Sequence, residues 1–157
     1  MTNKFKKKHR DIEEVFELTP QVFSDSRGFF LESYSLREFN HLGIELDFVQ
    51  DNQSHSKKNV LRGLHYQLKN PQGKLVRCLS GSIFDVAVDI RFGSPTFGRA
   101  EWVILDDKNK KQFWIPPGFA HGFCVLSDEA DFFYKCTDYY YPDDEYSINW
   151  NDPSFKI

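Results

Sequence analysis

Phe84-Asp85-Val86-Ala87-Val88-Asp89-Ile90-Arg91 is the stretch on which the fold turns. Strand alternation puts Phe84, Val86, Val88 and Ile90 on one face, and Asp85, Ala87 and Asp89 on the other. One face packs and the other carries carboxylates. Two readings of the acidic face stand side by side: a solvent-facing sheet surface, or the lining of a barrel interior. In the second, the acids need Arg, Lys or His donors, because burying an unpaired charge is costly.

Outward from this segment, strand signals recur along the chain. Residues 15–18, 29–34, 60–67, 75–79, 82–91, 100–105, 112–115, 122–126 and 132–137 all read as short strands. Turn chemistry separates them at residues 24–28, 70–73, 80–81, 93–95 and 106–109. Many short strands at close spacing predict an all-β sandwich, jelly roll or barrel. One segment reads as a helix: Ser35 and Glu38 form a capping-box pattern, Leu36, Phe39 and Leu42 recur at helical spacing, and Gly43 follows as a stop.

The chain has 157 residues, 40% of them apolar and 17% aromatic, with 16 Phe, 7 Tyr and 3 Trp. No Pro/Gly/Ser-rich linker divides it, so residues 1–157 are expected to form a single domain, one long enough to bury roughly 70% of its unfolded surface. The net charge of −3 argues against a nucleic-acid partner. The basic cluster Lys4, Lys6, Lys7, Lys8, His9 and Arg10 reads as a solvated, mobile tail over residues 1–10. Cys78, Cys124 and Cys136 are odd in number and widely spaced, which fits reduced thiols rather than a disulfide frame. The charged N-terminus has no apolar segment behind it and no run approaches a membrane span, so a soluble, cytoplasmic protein is expected.

Two segments carry the candidate chemistry. In Leu61-Arg62-Gly63-Leu64-His65-Tyr66-Gln67, simple alternation sends Arg62 and His65 to opposite faces. A bulge at Gly63 would turn both inward. In Pro117-Gly118-Phe119-Ala120-His121, a tight turn presents His121 at a strand start. Either histidine reads as a structural residue satisfied by its neighbours, or as an acid–base group. A barrel metal site needs three or more ligands, often with an H-x-H pair. His65-Tyr66-Gln67 lacks the second histidine, so no metal is expected. No G-x-G-x-x-G, P-loop or G-x-S-x-G motif is present, which argues against nicotinamide, ATP-dependent and serine-hydrolase chemistry. Lys74 reads as a turn lysine or as an anion stabiliser. Four tyrosines fall in residues 134–141, with Tyr134 alternating with Cys136 on one strand face. They read as a buried aromatic ladder, or as a proton donor with others stacking on a base.

Taken together, these motifs resemble the dTDP-4-dehydrorhamnose 3,5-epimerases. The matching stretches are residues 23–32, Gln50-Asp51-Asn52, 61–67, 71–77, 83–91, 94–98, 114–123 and 150–153, so the likeness runs from about Phe16 onward. It implies a cupin-type jelly-roll barrel with one or two short helices, no cofactor or metal, a nucleotide-sugar substrate and a homodimer. It further implies that His65 is the general base, Tyr134 the general acid and Lys74 a catalytic group in the sugar pocket, with His121 lining that pocket. Arg27, Glu32, Gln50, Asn52, Arg62 and Glu145 would hold the nucleotide or sugar, and Tyr140 would stack on thymine. Family members run on past Trp150-Asn151-Asp152-Pro153 to a carboxylate that pairs with the catalytic histidine. This sequence stops at Ile157, which leaves three expectations: the chain is truncated, another acid such as Asp85 or Asp89 orients His65, or activity is weakened. The rival expectations are an epimerase acting at carbon 3 alone or on another nucleotide, and an inactive sugar-nucleotide-binding module.

Overall fold

Short segments rich in β-branched and aromatic residues, punctuated by Gly, Pro and Asp turns, pair here into two antiparallel sheets that face each other. The structure is a computed structural model and describes residues 4–155 and 157. In chain order the strands are β1 (Phe5–His9), β2 (Phe16–Pro20), β3 (Val22–Asp25) and β4 (Gly28–Leu31), followed by the helix α1 (Leu36–His41). Then come β5 (Gln50–Lys57), β6 (Leu61–Gln67), β7 (Lys74–Ser80), β8 (Ser82–Asp89), β9 (Ala100–Asp106) and β10 (Gln112–Ile115). The last are β11 (Phe119–Val125), β12 (Glu129–Cys136) and β13 (Glu145–Ser147), with a single 3-10 turn at Pro142–Asp144 before β13.

One sheet has six strands in the order β1-β2-β10-β7-β12-β5, and the other has five in the order β13-β6-β11-β8-β9. Among the described residues β3 and β4 pair only with each other. From β5 to β13 the chain crosses between the sheets at every step except the β8–β9 hairpin, the crossing pattern of a jelly roll. The fold is the expected all-β, cupin-type barrel.

Between the sheets lies an apolar core that includes Val76, Ile83, Ala87, Leu105, Phe113, Ile115, Val125 and Phe132. β8 contributes Ile83 and Ala87 to it, so Asp85 and Asp89 face the barrel interior, and both are fully buried. The opposite face of β8 packs Val86 and Val88 with Leu64 and Ala120 in a second cluster, against which Ile148 and Phe155 lie. Of the two readings of the acidic face, the barrel interior is the one observed. The donors it demands are present. Asp89 accepts from Nε and Nη2 of Arg91 at 3.0 and 2.9 Å, and from the hydroxyls of Ser94 and Thr96, both at 2.6 Å. Asp85 pairs with His121.

Two local expectations need correction. Residues 5–9 of the supposed tail form β1, in register with β2, while residues 1–3 lie outside the described residues. Phe5 is buried, and Lys7 lays its ammonium 3.8 Å from the Phe16 ring centroid while donating to the Leu42 carbonyl at 2.7 Å. A lysine whose stem packs and whose head reaches a carbonyl fills an inward position, so the basic run pairs instead of waving free. At α1, Ser35 holds the N-cap position with an extended backbone, but its side chain makes no capping bond. The helix is only six residues long and is anchored by Phe39, which is buried against Phe5 and Tyr34.

Among the described residues no helix is long and apolar enough to cross a membrane. All three cysteines are free. Burial pushes the Cys78 thiol up to about 12 and the Cys136 thiol up to about 11.

Candidate active site

The barrel interior is not filled along its whole length. Toward β5, β6 and β12 it opens into a cavity of about 360 Å³. What keeps it open is a run of polar side chains where the rest of the interior has apolar ones. β5 points Gln50, Asn52 and Ser54 inward at alternate positions, which is the pleat of a strand.

β6 supplies the two residues that simple alternation would separate. His65 pairs with His121 of β11, and Arg62 pairs with Phe123. Three steps on β6 therefore oppose two on β11, which is a bulge. Gly63 makes it possible. Its φ is +116°, and a Cβ there would lie 2.6 Å from both the Gly122 Cα and the His121 carbonyl oxygen. Only glycine fits so close a backbone approach. The extra residue turns both Arg62 and His65 into the cavity, as the bulge reading requires. Arg62 is steadied by Ser56, whose hydroxyl accepts from its Nε at 3.0 Å.

Lys74 opens β7 and is buried, so the turn-lysine reading gives way. Burial lowers its pKa, with Cys136, Glu145 and Asp85 opposing that drift. Tyr134 comes from the middle of β12. Burial pushes its hydroxyl up to about 12, helped by Cys136 and Glu145, so it holds its proton throughout the neutral range. His65 moves the other way. Burial lowers its pKa, the charges of Lys74 and Arg62 add to the effect, and Glu145 opposes it. At neutral pH the cavity therefore presents an unprotonated imidazole and a protonated phenol, a base and an acid.

The mouth is built by residues after β12. Tyr140 donates its backbone N–H to Gln50 Oε1 at 3.0 Å and its hydroxyl to Glu145 Oε2 at 2.7 Å. Gln50 in turn donates to Asn52 Oδ1 at 3.0 Å. The ring of Tyr140 is half exposed, available for stacking.

Of the residues expected in the site, His65, Lys74, Tyr134, Arg62, His121, Gln50, Asn52, Tyr140 and Glu145 line this one cavity. Arg27 and Glu32 do not. Arg27 sits at the tip of the β3–β4 hairpin, paired with Asp25 at 2.6 Å, and Glu32 pairs with Lys4 at 2.7 Å. Nor do Asp85 and Asp89 orient His65, since their donors are His121 and the Arg91 cluster. Ser54, Gln72, Phe123 and Phe132 also line the cavity and escaped the sequence reading. Ser54 lies two and four residues beyond Asn52 and Gln50, so the period of a strand would have named it had β5 been recognised. Among the described residues no three His, Cys, Asp or Glu side chains gather as a metal site.

A two-sheet barrel whose polar cavity is lined by an imidazole, a phenol and a buried lysine defines a protein of the cupin type. Comparison with known proteins gives the particular family. A family model described as dTDP-4-dehydrorhamnose 3,5-epimerase matches residues 9–157, and the chain belongs to that family. It is 59% identical over 148 residues to a dTDP-4-dehydrorhamnose 3,5-epimerase of Salmonella typhimurium, covering 93% of this chain and 81% of that protein. The crystal structure of dTDP-6-deoxy-D-glucose-3,5-epimerase from Legionella pneumophila, in complex with dTDP-4-keto-L-rhamnose, superposes with a TM-score of 0.96 at 56% identity. That match covers 98% of this chain and 82% of that one. ChmJ, a 3'-monoepimerase from Streptomyces bikiniensis crystallised with dTDP-quinovose, matches at 34% identity and a TM-score of 0.88 over 95% of this chain and 77% of that one.

Proposed function

We propose that this chain inverts carbons 3 and 5 of dTDP-4-dehydro-6-deoxy-D-glucose, giving dTDP-4-dehydro-L-rhamnose. The observation that carries the reading is the convergence of His65, Lys74 and Tyr134, from three strands and both sheets, on one cavity. Hydrogens on carbons beside a ketone are acidic because the resulting anion delocalises onto oxygen. Neutral His65 takes the proton. The Lys74 ammonium stabilises the enolate oxygen in a site partly withdrawn from water. Tyr134, which keeps its proton, returns one to the opposite face. Arg62, Gln50 and Asn52 hold the diphosphate and sugar, a guanidinium being suited to paired phosphate oxygens. Tyr140 stacks on the thymine, with Glu145 holding its hydroxyl.

The same reading makes the chain one domain, acting as a cytoplasmic homodimer. The β3–β4 hairpin supports the dimer. It joins neither sheet, and Phe23, Phe29 and Phe30 are more than half exposed on it. An isolated two-stranded hairpin is marginally stable in water. Contact with a second copy would cover these rings and carry Arg27 to a nucleotide.

Incubation with dTDP-4-dehydro-6-deoxy-D-glucose in heavy water tests the assignment. NMR should find deuterium at both carbon 3 and carbon 5, and His65→Ala should abolish exchange at both while keeping dTDP binding. Label at carbon 3 alone means a mono-epimerase. Label at neither means a binding module. Near-normal exchange in His65→Ala removes His65 as the base.

A further inference from the structure

Asp85 sits in the middle of β8 with no solvent exposure. Both of its oxygens lie within hydrogen-bond reach of a single donor, Nε2 of His121, at 3.0 and 2.9 Å. A buried carboxylate facing that nitrogen is satisfied when the ring carries its hydrogen on Nε2. The ring is held in plane by Phe132, stacked at 5.9 Å between centroids with 18° between planes, and Phe132 is itself backed by Phe123 at 4.3 Å. Among the described residues Nδ1 of His121 makes no hydrogen bond to protein. The ring borders the cavity in direct register with His65.

The free groups around it are mostly donors. Lys74 and Arg62 present N–H groups and Tyr134 holds its proton. The acceptors Glu145, Gln50 and Asn52 lie at the mouth and already accept from Tyr140 and Gln50. A sugar hydroxyl beside His121 therefore finds many donors for its lone pairs and few uncommitted acceptors for its hydrogen.

We propose that Asp85 is a positioning residue: it fixes His121 as the neutral tautomer with hydrogen on Nε2, so that Nδ1 offers a lone pair to a sugar hydroxyl and sets the tilt of the sugar over His65. The inference rests on the epimerase reading of the cavity. It also explains why Asp85, so close to His65 along the sheet, does not serve it: both oxygens are committed to the neighbouring imidazole.

The test begins on the unaltered protein. Nitrogen-15 NMR of histidine-labelled protein at neutral pH should find His121 protonated at Nε2 and unprotonated at Nδ1. The opposite tautomer, or a doubly protonated ring, overturns the proposal whether or not any sugar is turned over. In Asp85→Asn the amide NH2 would face Nε2 and drive the hydrogen to Nδ1, converting an acceptor into a donor with little change of shape. The expected result is a swapped tautomer and a kcat lower by about 10²-fold or more with dTDP affinity unchanged. Removing the orienting carboxylate of a serine protease, by the same exchange, costs about 10⁴. In a His121→Asn background, Asp85→Asn should add no further loss, because Asp85 acts only through that ring. An unchanged kcat in the single variant, or a fully additive loss in the double variant, overturns the proposal. If Asp85→Asn fails to fold, the spectrum of the unaltered protein decides alone. If the unaltered protein turns over no nucleotide sugar, it is the epimerase assignment that fails, and the tautomer is still read.

Discussion

Asp85 and Asp89 lie four residues apart on one face of β8, both fully buried, and their surroundings pull them in opposite directions. Around Asp89 the Arg91 guanidinium and the hydroxyls of Ser94 and Thr96 converge, and the Arg91 backbone N–H donates at 3.0 Å as well. Burial alone would push this carboxyl up. The four groups outweigh burial and hold it well below the usual carboxylate range. Asp85 has one partner, His121, and there burial wins: its carboxyl is pushed up against the pull of His121 and Lys74. The saturated acid staples the loop of residues 91–99 to the barrel. The undersatisfied acid sits behind a ring that borders the cavity. One strand with one alternation thus serves stability at its end and chemistry at its middle, and the difference is made by how many donors the neighbouring loop brings.

The largest expected effect lies on the chemical side of this comparison. Tyr134→Phe removes one oxygen and keeps the ring that packs 5.3 Å from Phe132. Loss of a general acid costs about 10²–10⁴ in rate. Steady-state kinetics should find the loss in kcat, with dTDP affinity by calorimetric titration unchanged. Normal turnover removes Tyr134 from its role.

On the structural side, Asp89→Ala should destabilise by about 3 kcal/mol, the low end for breaking a buried ion pair, because Arg91 keeps Glu14 at 2.6 Å and some exposure to water. Denaturant titration measures it. The sign with pH follows from the depressed carboxyl: the contribution is complete above the unfolded value of about 3.9 and is lost as pH falls toward the folded value. The variant and its parent should therefore converge in stability under strong acid. A variant whose folded fraction has lost kcat at neutral pH would erase the distinction between the two acids.

How much of this was legible beforehand depends on whether the hydrophobic period survives. In β8 the apolar and acidic residues alternate, so the strand and its faces could be read directly. In β5 the segment Gln50–Lys57 is Gln-Asp-Asn-Gln-Ser-His-Ser-Lys, polar on both faces because one faces the cavity and the other water. No period of apolar residues marks it, and only the family likeness pointed to Gln50 and Asn52. β1 hides for a related reason, since Lys7 occupies an inward position through its aliphatic stem. Lys74 looked like a turn residue because Pro71 and Gly73 precede it, and nothing local announces that the barrel closes over it. Arg27 and Glu32 matched family positions, yet within this chain they face away from the cavity. A sequence cannot distinguish a residue that serves its own site from one whose place is set by a hairpin in a sheet of its own.

A smaller effect concerns the acid limb of the rate. His65 must be unprotonated to act, and burial with its cationic neighbours lowers its pKa below the ordinary imidazole value of about 6.5. In a plot of kcat/KM against pH, activity should hold below 6.5 and then fall tenfold per unit. Glu145 is the group that raises the His65 value, so Glu145→Gln should move this limb to still lower pH. A limb displaced upward in that variant would contradict the arrangement of charges around His65.

The smallest effect tests whether closeness to Asp85 is enough to matter for chemistry. Ile83 lies two residues before Asp85 on the same face of β8, is fully buried, and stands opposite Leu105 of β9 and Val125 of β11. It belongs to the apolar core rather than to the cavity lining. Ile83→Val deletes one methylene and leaves a small void among rigid neighbours, which costs about 0.5–1.5 kcal/mol. If the barrel divides as the two acids imply, that cost appears in the denaturation midpoint while kcat and KM stay at the parent values. Tyr134→Phe is its mirror image, losing an atom at the cavity and rate instead of stability. Should Ile83→Val lower kcat severalfold at unchanged folded fraction, core packing beside Asp85 would be setting the His121 ring as well. The boundary between the packed and the reactive interior would then lie at least two residues nearer the start of β8.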